Sequence, residues 1–235
     1  MNMKNILILL ALTLIPVFAY EVFSPNDYKY KQSGDKLLFV IDFSNSMSEY
    51  LEHKTKVNQV KDMMNFILPQ ISADTEVGLR VYGHTCNPIA FNACRSSELV
   101  VPLKTNNSHT IMNELSYLRP RGMTPITYSL KQAVKKDLNG LNGIKHIILL
   151  TDGGENCDES PCDFAINLIK ERKDIKIDVI AFSVFDDDDL AQLKCAADVT
   201  GGNFAETDTR AGLFHSMEDM ILPHKKVEAS ILNKD

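Results

Sequence analysis

The chain has 235 residues, 44% hydrophobic and 24% charged, with 31 acidic against 25 basic side chains and a formal charge of −6. That length accommodates one large α/β domain. The acidic balance, with no block of Lys or Arg interleaved with aromatics, argues against nucleic acid and against attraction to an anionic membrane surface.

Residues 1–19 read as a secretory signal peptide: Lys4 supplies the positive start, Ile6 to Ile15 the apolar stretch, and Val17-Phe18-Ala19 a cleavage site ending in a small residue. The apolar stretch is short for a spanning helix, which needs about 20 residues, so membrane attachment would require the signal to stay uncleaved. The expected location is periplasmic or secreted. Residues 20–35 form a polar leader.

A buried strand is predicted at Leu37–Asp42. At its end Asp42, Ser44 and Ser46 leave together on one short turn. One carboxylate and two hydroxyls suit a hard cation, though the same residue types also cap helices and make turns. Val57, Val60, Met64, Ile67 and Leu68 follow at helical spacing, with Met63 and Met64 as core residues. Strands are predicted at Glu76–Tyr82 and Glu98–Leu103 with no helix between them, hence an antiparallel pair at one sheet edge. Cys86 and Cys94 bracket the irregular segment that joins them and are expected to form a disulfide. His84 beside them reads as a turn residue, since the six histidines show no zinc-binding spacing.

After the loop Leu118 to Met123, Thr124-Pro125 precede Ile126, Leu130, Ala133, Val134 and Leu138 at helical spacing. Thr124 therefore sits at a helix start, as a site residue or as an N-cap, with Pro125 at the first helical position. The strand His146–Thr151 ends in the acidic, glycine-rich turn Asp152-Gly153-Gly154. Of the remaining cysteines, Cys157 with Cys162 is the favoured pair, with Cys195 an alternative partner for either. Disulfides are the natural state of these thiols in an exported chain. The strand Lys176–Val184, a helix over Asp188–Val199 that stops at Gly201-Gly202, and the strand Asn203–Glu206 complete the pattern. The run Asp186 to Asp189 reads better as a helix N-terminus than as a separate Ca²⁺ site. Residues 223–235 form a tail.

This alternation predicts a three-layer, Rossmann-like α/β fold: a mostly parallel central sheet with one antiparallel edge strand and helices on both faces. In such a sheet ligands sit beyond the carboxyl ends of the strands, where the winding reverses, which brings Asp42 and Asp152 to one crevice.

The string D-x-S-x-S at Asp42, Ser44 and Ser46, then Thr124 at the head of a middle helix, then Asp152 in a T-D-G turn, resembles the von Willebrand factor A (vWA) family. The likeness covers residues 36–222. It implies an intact metal-ion-dependent adhesion site (MIDAS) of a secreted bacterial type, with those five residues holding Mg²⁺, Mn²⁺ or Ca²⁺. It also implies an exported binding module for adhesion or assembly, whose protein partner completes the site with an acidic side chain. The chain lacks G-x-x-x-x-G-K-[ST], so no nucleotide is expected. The alternative is a haloacid-dehalogenase-like phosphatase with Asp42 as nucleophile. That chemistry wants a second Asp two residues on, where this chain has Ser44, a poor proton shuttle at neutral pH. No enzymatic activity is expected.

Overall fold

Strand β1 (Lys36–Asp42) is buried along its whole length, which is why it reads as a continuous apolar run and not as an alternating one. A computed structural model describes residues 36–85 and 90–221. The expected signal peptide, leader and tail, and Cys86, lie outside the described residues.

After β1 the chain forms a short hairpin, β2 (Tyr50–Leu51) and β3 (Lys54–Thr55), and enters α1 (Lys56–Ile67). Then come β4 (Glu76–Tyr82), the single turn α2 (Ala90–Ala93), β5 (Ser97–Lys104) and α3 (Ser108–Tyr117). Helix α4 (Ile126–Gln132) continues through a wide turn over Ala133–Asp137 and leads to β6 (Lys145–Thr151). The chain ends in α5 (Pro161–Glu171), β7 (Ile175–Phe182), α6 (Asp187–Thr200), β8 (Phe204–Thr207) and α7 (Arg210–Ile221).

Six strands make one sheet in the order β5-β4-β1-β6-β7-β8. All neighbours are parallel except β4 and β5, the antiparallel pair expected at one edge. From β1 the chain first winds one way, to β4, and later the other way, through β6, β7 and β8. β1 is therefore the switch point, and the crevice above its carboxyl end belongs to it and to its neighbours.

The alternation of side chains along β1 divides the core in two. Leu37, Phe39 and Ile41 pack with apolar residues of α1, α3 and α7. Leu38 and Val40 face α4, α5 and α6. Helices α1 and α7 run in the same direction. Arg210 pairs with Asp62 at 3.5 Å, and one turn further along both helices the rings of Phe214 and Phe66 meet at 5.6 Å.

Strand β7 stops at Phe182, two residues short of the expected end, because Ser183 takes φ 62° and leaves the extended path. Asp186 does cap α6: its carboxylate accepts from the N–H groups of Asp188 and Asp189, each at 3.0 Å. The acidic run is a helix start. Among the described residues no three His, Cys, Asp or Glu side chains converge as a metal cluster.

The disulfides differ from those expected. Cys94 bonds Cys157, which excludes both the Cys86–Cys94 and the Cys157–Cys162 bridges. Cys162 bonds Cys195, the alternative left open by the spacing. The strand order explains this: β4 and β6 flank β1, so the loops leaving their carboxyl ends meet above it and bring Cys94 to Cys157.

Candidate metal centre

Asp42 ends β1 with its side chain fully buried. The Ser44 N–H donates to its Oδ1 at 2.6 Å and the Thr151 hydroxyl to its Oδ2 at 2.9 Å. Burial, and then the charge of Asp152, raise this carboxyl to about 7. The Ser44 and Ser46 hydroxyls lie 3.0 Å apart, and the Ser46 hydroxyl donates to Asp152 Oδ1 at 2.7 Å. Asp152 is also raised, by burial, against opposing hydrogen bonds from Lys56 and Ser46. Four of the five expected residues thus form one connected group, although Asp152 lies more than a hundred positions from the serines in sequence.

Thr124 is held separately, by Asn156 of the loop that follows Asp152. The Asn156 side chain accepts from the Thr124 N–H at 2.7 Å and donates to the Thr124 hydroxyl at 3.3 Å. The hydroxyl caps nothing: α4 begins at Ile126, Pro125 stands just before it, and the Thr127 N–H goes to Glu155 Oε2 at 2.7 Å. Glu155 also accepts from the Cys157 N–H at 2.9 Å within its own turn, which Glu155 and Asn156 fasten to Thr127 of α4 and to Thr124 just before it.

Backbone contacts hold the first loop in place. Asn45 N–H donates to the Gly122 carbonyl at 3.0 Å, and Gly122 N–H to the Gly83 carbonyl at 2.7 Å. Gly83 has φ +70°, and a Cβ there would lie 2.6 Å from the Ser44 nitrogen. Only glycine fits between β4 and the loop of Ser44. On the other side, a Cβ on Gly154 would collide with the Asp189 carboxylate, so the glycine turn lets the acidic start of α6 lean onto the site loop.

Lys56 is a site residue that the sequence did not mark. Its ammonium group, nearly buried, donates to Asp152 Oδ2 at 2.9 Å and to Glu49 Oε2 at 3.0 Å. Each Asp152 oxygen therefore has its own role, one meeting Ser46 and the other Lys56. Thr151, Glu155 and Asn156 were likewise unmarked, although they adjoin Asp152 in sequence.

The donor set fits a hard divalent cation: three hydroxyls and two carboxylates, all oxygen, with two negative charges buried close enough to disfavour each other. It does not fit a phosphatase. Ser44, two residues after Asp42, hydrogen-bonds Ser46 and offers no proton-transfer group.

A fold with its ligand crevice at the switch point, and hydroxyls and carboxylates converging there, defines a class of binding domain. The chain belongs to the von Willebrand factor type A domain family, whose model matches residues 36–219. YwmD of Bacillus subtilis (strain 168) is 27% identical over 205 residues, spanning 86% of this chain and 91% of that protein. A von Willebrand factor type A structure from Catenulispora acidiphila superposes with a TM-score of 0.63 at 20% identity, over 80% of this chain and 42% of that one. Proximal thread matrix protein 1 from the mussel byssus, with a zinc-occupied MIDAS motif, gives 0.61 at 20% identity, over 80% of this chain and 45% of that one. The chain spans less than half of each of these two structures, and at such identity the likeness establishes the fold. Domains of this family are in general binding modules and not enzymes, some of them acting through a metal at the MIDAS.

Proposed function

We propose that this chain is an exported vWA module that recognises a protein partner through a divalent cation, Mg²⁺ in the first instance, held by Asp42, Ser44, Ser46, Thr124 and Asp152. The observation that carries this reading is the chain of hydrogen bonds from Ser44 through Ser46 to Asp152, which gathers oxygen donors from two distant loops around buried Asp42. A bound cation supplies an electrophilic point for a carboxylate from the partner. The protein's part is to keep the donors in place: Thr151 and the Ser44 N–H fix the Asp42 carboxylate, Lys56 fixes one oxygen of Asp152, and Asn156 orients the Thr124 hydroxyl.

Export is supported by the two disulfides, which belong in an oxidising compartment. No helix among the described residues is long and apolar enough to cross a membrane.

Calorimetry with Mg²⁺ and Mn²⁺ tests the metal assignment. Asp42→Ala should lose at least about tenfold in affinity, since it removes a charged ligand from a small oxygen site. Unchanged affinity would overturn it. Affinity capture from envelope extract, with Mg²⁺ and again with chelator, tests the partner reading. Capture should vanish with chelator and with Thr124→Ala or Asp152→Ala.

A further inference from the structure

The carboxyl edge of the sheet carries more than the metal loop. The three most exposed large hydrophobic side chains among the described residues are Tyr50, Tyr117 and Phe185, each over 70% exposed, and all three stand there. Tyr50 lies in the hairpin after the metal loop, Tyr117 ends α3, and Phe185 lies between β7 and α6.

Between the first turns of α1 and the end of α3 opens a cleft of about 470 Å³. Ser48 and Thr55 line it from one side, Lys61 and Ser116 from the helices, and Arg119 from the loop after α3. Lys61 Nζ donates to the Leu118 carbonyl at 2.8 Å, and Arg119 Nη1 donates to the same oxygen at 2.8 Å. Two cations thus meet over one neutral acceptor, and neither forms an ion pair with a described residue. Lys61 is half-buried and Arg119 exposed, whereas buried cations are matched by carboxylates: Arg80 by Asp137, Lys145 by Asp174 and Lys56 by Asp152. Burial and the nearby Arg119 lower Lys61 to about 8, the mark of an ammonium group short of counter-charge.

We propose that this cleft is an anion subsite, in which Lys61 and Arg119 receive a second carboxylate of the acidic segment whose first carboxylate goes to the metal loop. The placement of the first carboxylate rests on the function proposed above, whereas the affinity of the cleft for a carboxylate rests on its own geometry. The partner so defined presents at least two acidic side chains on one segment.

The test uses the full chain and a fluorescent hexaglutamate peptide, with hexaglutamine as control, read by anisotropy. With Mg²⁺ present, the double substitution Lys61→Gln with Arg119→Gln should weaken hexaglutamate binding about tenfold, the sum of two part-exposed charge pairs. Its Mg²⁺ affinity and melting cooperativity should stay unchanged, and Lys61→Arg should retain peptide binding. In chelator the wild type should keep a weaker binding that the double substitution removes. The proposal is overturned if the double substitution binds hexaglutamate as the wild type does, or if the wild type does not distinguish it from hexaglutamine. If chelator has no effect while the double substitution still weakens binding, the metal reading fails and the subsite stands.

Discussion

Asp42 is a carboxyl group that the fold holds away from water, and its proton reports the cost. It titrates near 7 in the folded chain against an ordinary 3.8, so between these values the folded state keeps a proton that the unfolded state has released. Stability of the metal-free protein should therefore fall as pH rises across that window and level off above it. Asp42→Asn should flatten that slope and stabilise the metal-free protein at pH 8, by on the order of 2 kcal/mol. Thermal melts in chelator at pH 5 and pH 8 measure both. Lys56 makes the opposite contribution, supplying a positive charge that any bound cation must share Asp152 with. Lys56→Met should lower stability in chelator, because it strands a buried carboxylate, yet tighten Mg²⁺ binding at least about tenfold by calorimetry. The five expected ligand residues stand out in the sequence because their types and order form a pattern. Lys56 belongs to none. Its one signal was a lysine at the first position of a helix, where the dipole disfavours positive charge unless a carboxylate compensates.

At the scale of elements, hydrophobic runs and breaks located the strands well, because a parallel sheet covered on both faces needs continuous apolar segments. The disulfides were not legible, since pairing depends on which loops the strand order brings together. Cys94 and Cys157 lie 63 residues apart in sequence and 5.5 Å apart between Cα atoms. That bridge ties the β4–β5 connection to the loop holding Asn156, whereas Cys162–Cys195 ties α5 to α6 away from the donors. The two should separate on mutation. Either loss removes loop-closure stabilisation of about 4 kcal/mol in the chain-entropy description. Cys94→Ser with Cys157→Ser should in addition weaken Mg²⁺ binding through Asn156 and Thr124, while Cys162→Ser with Cys195→Ser should leave it near the wild-type value. Peptide mapping without reductant should recover these two bridges and no Cys86–Cys94 linkage.

For the whole molecule, both apolar layers are closed by side chains alone, with Phe43 and Met47 of the loop after β1 buried in one of them, so the fold should not need the cation. Chelator should leave a single cooperative unfolding transition by calorimetry, and a broad or biphasic melt would contradict this. The common direction of α1 and α7 has a mechanical consequence. Helix α1 starts beside Asp152, at the carboxyl edge, and runs to the other edge, and α7 follows it there. Lys36, where the sheet begins, lies at that same far edge. Any load pulling on the segments before Lys36 or after Ile221 is thus applied opposite the ligand crevice, and a partner tugging at the crevice is resisted along the long axis of the central strand. Lys36 and Ile221, the first and last described residues, thus stand at one pole of the domain and the Asp42–Asp152 site at the other. A bulky fusion at either end should accordingly leave Mg²⁺ affinity unchanged, whereas the same insert placed between Tyr50 and Thr55 should block the face.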